Sequence, residues 1–117
     1  MEDLLKVDEW PHGFSYPQDF VDAVESGIFD IGPWQILSGK WLRVRKSGLR
    51  ERFPERHLVP FARRLDSDDV ACWDLELQGT VCVVHDFSAP GWEKRQEYES
   101  FSAWHADAQA EADDYEV

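Results

Sequence analysis

Apolar and polar positions alternate with two different periods along this chain of 117 residues. The plainest stretch is Leu58 to Asp74, LVPFARRLDSDDVACWD. Leu58 to Arg63 reads as a strand, Leu65 to Asp69 as a tight acidic turn, and Val70 to Asp74 as a second strand. Pro60 has no N–H to give a ladder, so it predicts an edge or a bulged strand. Val70, Ala71, Cys72 and Trp73 are an almost unbroken apolar run, the pattern of a strand covered on both faces. Val81 to Val84 are β-branched or small apolar residues, which suit a central strand. Val70 to Phe87 therefore predicts a hairpin, closed at Gln78-Gly79.

Helical spacing dominates elsewhere. Tyr16-Pro17-Gln18-Asp19-Phe20 predicts a helix entry, with Pro17 suited to the first turn and Asp19 to the positive end of the dipole. Phe20, Ala23 and Val24 share one face, and Gly27 is a plausible stop. Gly32-Pro33 is a turn, followed by a short strand from Trp34 to Leu37. Ser38 is placed to cap a helix over about 40–46 that ends near Gly48, with Trp41, Leu42, Arg45 and Leu49 roughly on one side. The alternation of Leu42 to Arg45 also suits a strand. Leu49 to Arg56 contains Pro54 and predicts a helical turn or loop.

After the hairpin, Pro90-Gly91 fits a type II turn. Residues 93–99 are highly charged and predict an exposed loop. Ser100 then caps a final helix carrying Phe101, Trp104, Ala108 and Ala112 at spacings of three and four. These elements predict an α+β fold: a single domain over residues 1–117, with an antiparallel sheet of about four to six strands and flanking helices.

Composition changes this picture little. Six Trp, seven Phe and three Tyr supply enough apolar area for a core without staples. The opening MEDLLKVDEW lacks the charged start and apolar centre of a signal peptide, and no run approaches the length of a membrane span. An intracellular, cytoplasmic protein without membrane attachment is expected.

Charge changes it more. The net charge is −12, yet residues 40–64 hold nine of the twelve basic side chains against Glu51 and Glu55, a balance of +7 that leaves −19 on the remainder. An acidic body argues against nucleic acid as a general partner, because that affinity comes mostly from neutralising phosphates. The basic band reads first as a helix face paired with the chain's own acids, and second as a local phosphate site.

Candidate chemistry is sparse. Cys72 and Cys82 are too few for a disulfide scaffold and lack metal spacing. With the hairpin closed at Gln78-Gly79, Cys72 faces His85 and the two thiols point to opposite sides, so both are expected free and buried. The same register makes Cys72, His85 and Asp74 a conceivable nucleophilic grouping, although nothing nearby supplies an oxyanion hole. Asp66, Asp68 and Asp69 offer several oxygen ligands in a turn, but lack the glycine and distal glutamate of a calcium loop; turn formation is the simpler reading. His105, Asp107 and Glu111 fit a solvated helix surface, and His12 and His57 stand alone. No cofactor or metal is expected.

Several of these features in this order resemble the SUKH superfamily of bacterial immunity proteins and fungal cell-wall synthesis regulators. The resemblance rests on Pro17, Asp19 and Phe20; on the strand Leu58-Val59-Pro60-Phe61-Ala62; and on the acidic turn leading to Asp69 and, five residues on, Asp74. Val84-His85-Asp86 and Phe101 to Trp104 complete it. Ser67-Asp68 stand where the family usually has a glycine-rich turn. The resemblance implies a non-catalytic, protein-binding role, neutralising a cognate bacterial toxin (a nuclease among the candidates) by direct contact. The alternatives are an intracellular scaffold or regulator of the same fold, and after that a small hydrolase using Cys72 and His85. The expected partner-binding residues are Asp66, Asp68, Asp69, Trp92 and Glu93, because their loops carry charge or an aromatic ring with no evident core duty.

Overall fold

A computed structural model describes residues 3–77, 80–89, 91 and 93–114. Six antiparallel strands follow one another in sheet order as in sequence: β1 (Asp30–Ile31), β2 (Trp34–Ile36), β3 (Leu58–Arg64), β4 (Asp69–Asp74), β5 (Thr80–His85) and β6 (Lys94–Tyr98). Three helices accompany them: α1 (Gln18–Glu25), α2 (Gly39–Arg52) and α3 (Phe101–Asp114). This is an α+β domain with β3 and β4 at the centre of its sheet. No helix among the described residues is long and apolar enough to cross a membrane.

The sheet's two faces are covered differently. On one, Phe61 of β3 and Trp73 of β4 meet Phe20 of α1, with ring centroids 5.8 and 5.0 Å from Phe20. Phe101 and Trp104 of α3 close on Phe61 from the other side, at 5.5 and 4.9 Å. Edge-to-face aromatic packing of this kind adds to the area buried. Asp19 ties the two helices: one carboxylate oxygen accepts the Phe20 N–H, the other accepts the N–H and hydroxyl of Ser102. The opposite face carries α2, whose Leu42 and Leu49, two turns apart, are both 1 % exposed.

Local signals explain most boundaries. Gly27, at φ +87, ends α1: its N–H reaches Val24 and that of Ile28 reaches Ala23, as in a Schellman stop. The helix begins at Gln18, with Pro17 at the cap position. Gly32, at φ +60, makes the two-residue turn between β1 and β2. Ser100 caps α3 through its hydroxyl, which accepts the Ala103 N–H. Pro60 lies in an interior strand at a bulge between Pro60 and Ala62, where a missing donor costs least.

Three expectations are corrected. Residues 94–98 are not loop but edge strand β6, paired to β5. Helix α2 does not stop near Gly48; it continues to Arg52, and the C-cap is Phe53. The hairpin register also differs: Cys72 lies opposite Cys82, and His85 opposite Asp69. The cause is the 3-10 turn Leu75–Leu77, which takes three residues out of the ladder before the connection to β5. The proposed closing pair, Gln78-Gly79, lies outside the described residues.

Candidate functional site

Because side chains alternate along a strand, the observed register puts Cys72 on the α2 face and His85 on the other. The Nδ1 of His85 sits 2.9 Å from Asp69 Oδ1, at the end of the sheet. Cys72 and Cys82 are free and fully buried. Burial drives the Cys72 thiol well above its ordinary pKa and pushes Cys82 up to about 11. The grouping of Cys72, His85 and Asp74 is therefore not assembled, and both thiols pack as small apolar side chains.

The acidic turn lies beside the start of the β5–β6 connection. The Asp86 N–H donates to the Asp68 carbonyl at 3.0 Å. The three carboxylates do not converge. Asp66 accepts from Arg64 Nε at 2.6 Å, Asp69 meets His85, and Asp68 is exposed. Among the described residues no three metal-ligating side chains come together. On the outer side of α3, Arg64 donates to Glu111 at 2.5 Å, Tyr98 donates its hydroxyl to Asp107 at 2.6 Å, and His105 packs against Phe101.

Glu93 corrects the expectation of an exposed loop residue. It is 4 % exposed. Its carboxylate accepts from Arg56 Nε and from the Gly91 N–H. Burial would raise its pKa, but these hydrogen bonds outweigh that and hold it below the usual carboxylate range. Arg56 also reaches Asp74, itself buried, at 3.4 Å. Trp92 lies outside the described residues.

Above this triad opens a groove of about 760 Å³. Helix α2 covers the β3 side of its face, leaving the outer strands to line a depression closed by Phe53 and Pro54. Exposed Glu55, Glu76 and Glu97 stand around it, with Leu77 among them. Lys94, paired to Glu97 at 2.8 Å, is the other cation besides Arg56 in the lining. The site is thus a carboxylate-rimmed groove with an ion-paired, rigid floor, suited to receiving a basic surface.

The chain matches no protein-family model, no curated protein and no solved structure.

The basic band resolves into private partnerships. Arg43 binds Glu9 and Asp3, latching the N-terminal segment to α2, and its hydrogen bond lowers the Glu9 pKa to about 2. Arg45 and Arg52, seven residues apart and hence on one side of α2, converge on Asp86. Asp86 is wholly inaccessible. Burial raises its pKa, yet the bonds from Arg52 and Arg45 prevail and hold it low. With Arg56 and Arg64, five of the nine basic residues meet carboxylates of this chain.

Sequence reasoning missed Asp86 and Arg56 as organising residues. The available signals were the i, i+7 arginines at 45 and 52 and the single acid closing the apolar strand. Neither says which acid an arginine meets across 34 residues of chain.

Proposed function

We propose that this chain is a cytoplasmic, non-catalytic immunity protein of the SUKH superfamily that neutralises a cognate bacterial toxin by direct binding. The observation that carries this reading is the acidic groove. It places three exposed carboxylates, Glu55, Glu76 and Glu97, around a floor fixed by Arg56, Glu93 and Asp74. A rigid site loses little entropy on binding, and its charge speeds encounter with a basic partner. A nuclease presenting a phosphate-binding surface has the complementary sign.

The positions of the resemblance residues support the family assignment. Phe20 is in the core, Leu58–Ala62 fall in β3, Asp74 ends β4, and Phe101 and Trp104 pack from α3. The acidic turn, with Asp68 exposed, supplies a second negative surface at the end of the sheet.

The experiment pairs this chain with a toxin encoded beside it. Co-purification, together with protection of cells expressing that toxin, is the expected result. Reversing Glu55, Glu76 and Glu97 to Lys slows association at low salt about tenfold; reversing Asp68 and Asp69 tests the turn in the same way. A chain that neither binds nor protects refutes the immunity role. Unchanged association of the groove variant moves the surface elsewhere.

A further inference from the structure

Three of the large apolar side chains left in solvent stand around one groove. Trp41 is 67 % exposed, Val44 50 % and Phe87 61 %. Trp41 and Val44 lie three apart on the outer side of α2, and Phe87 comes from the connection after β5. Between them runs an open depression of about 740 Å³ with buried Leu37 in its lining. Ser47 and Gly48 continue the helix wall with small residues that let another backbone approach.

Phe87 is not exposed by default. Its φ is +72, a conformation that a bulky residue rarely adopts, and it is the only described non-glycine residue with positive φ. The surrounding structure enforces it. Asp86 accepts the Phe87 N–H at 3.1 Å, and the Arg52 guanidinium lies 4.0 Å from the ring centroid. A buried charge cluster therefore holds an aromatic ring facing solvent opposite a tryptophan. Strain maintained in this way marks a site rather than a packing defect.

The sign of the groove identifies its occupant. On a chain of net charge −12, its lining holds Lys40, Arg45, Arg52 and Arg63 against Glu51. Arg45 and Arg52 share the single charge of Asp86, so one positive charge stays uncompensated. Arg63 donates to Gln35, a neutral acceptor, at 3.2 Å. Among the described residues Lys40 forms no ion pair. We infer that this groove docks an acidic amphipathic segment of a partner protein, its apolar residues on Trp41, Val44 and Phe87 and its carboxylates meeting Lys40, Arg45 and Arg63. This follows the general mode in which an amphipathic helix lies in an apolar groove. Nucleic acid is disfavoured by the acidic body. A second copy seated here by its own acidic groove would make a head-to-tail contact that does not close.

This surface lies apart from the carboxylate-rimmed groove, and its test needs no toxin. Two labelled synthetic helical peptides share one Leu/Phe stripe, one with a Glu polar face and the other with Lys. Fluorescence anisotropy against the full chain reads binding. The Glu peptide binds, weakens as salt is raised, and loses about tenfold in affinity with Trp41→Ala or Lys40→Glu. Both variants are surface changes on α2, and thermal unfolding confirms that they fold. Equal binding of the two peptides, no binding of the Glu peptide, or binding indifferent to both variants overturns the inference. Tighter binding of a single-stranded oligonucleotide, lost with Trp41→Ala, reassigns the groove to nucleic acid. Dimerisation in ultracentrifugation, lost with the same variant, reassigns it to a second copy.

Discussion

Asp86→Asn is the sharpest test of what holds the two sides of this molecule together. One carboxylate oxygen accepts Arg52 Nε at 2.5 Å and the Phe87 N–H; the other accepts Arg45 Nη1 at 2.8 Å and Arg52 Nη2 at 2.7 Å. An asparagine keeps one acceptor and turns an NH2 toward donors, leaving two guanidiniums without a counter-charge. Breaking a buried pair in this way costs about 3–5 kcal/mol. Arg45 and Arg52 retain 21 % and 29 % exposure and can turn partly to water, which favours the lower end, about 3 kcal/mol. Against a total stability of about 5–15 kcal/mol that is a large share.

Urea unfolding measures it. With a slope of about 1.5 kcal/mol/M, the midpoint falls by about 2 M at unchanged slope. A double-mutant cycle with Arg52→Met isolates the pair and should return a coupling above about 1 kcal/mol. A loss under about 1 kcal/mol for Asp86→Asn refutes the reasoning. The cluster would then behave as an exposed ion pair, which contributes that little.

The carboxylates of Glu9, Glu93 and Asp86 all titrate below their ordinary range in the fold. Their contribution is present above about pH 4.5 and is lost as pH falls through their folded values, so acid titration of unfolding free energy should decline from about pH 4.5 to 2. Gly32→Ala places a Cβ 2.7 Å from the Ala112 Cα at φ +60. It should cost about 2 kcal/mol and about 8 °C in melting temperature, with Ala112→Gly restoring only part because the backbone strain persists. Neither cysteine should react with an aromatic disulfide reagent in the native protein; modification should appear only at the rate of unfolding, and rapid labelling of either would contradict their burial.

Where the sequence was legible, one face of an element faced oil and the other water. Phe20, Ala23 and Val24 marked α1, and Phe101, Trp104 and Ala108 marked α3, because those residues are the buried ones. Strand β6 was illegible for the converse reason. Lys94 to Tyr98 pairs along one edge only, and its charged side chains are those that protect an open edge from pairing with another chain. Gly48 misled for a reason peculiar to its position. It reads as a stop, yet a Cβ there would lie 2.5 Å from Arg52 Nη2, so the glycine leaves room for the arginine to cross toward Asp86. The β4–β5 register failed because a short 3-10 turn has no strong sequence mark. Of the expected binding residues, Asp66, Asp68 and Asp69 do lie on the surface turn, while Glu93 is buried because a buried arginine partner cannot be read from spacing.

The charge asymmetry acquires a structural meaning from these pairings. A basic helix on an acidic body would normally be neutralised where it lies. Here α2 and the β-strand after it spend much of their charge inward and sideways, on Glu9, Asp86, Glu93 and Asp74. Each of those contacts joins segments far apart in sequence, so the band acts first as a set of clasps. The carboxylates that remain outward, Glu55, Glu76 and Glu97, border one groove; the cations that remain outward, with Trp41 and Phe87, border another. Opposite signs at two separated grooves are hard to explain by folding alone, because unpaired surface charge contributes little to stability. They are expected of a protein that receives two different surfaces, and charge reversal in one groove should leave binding at the other unchanged.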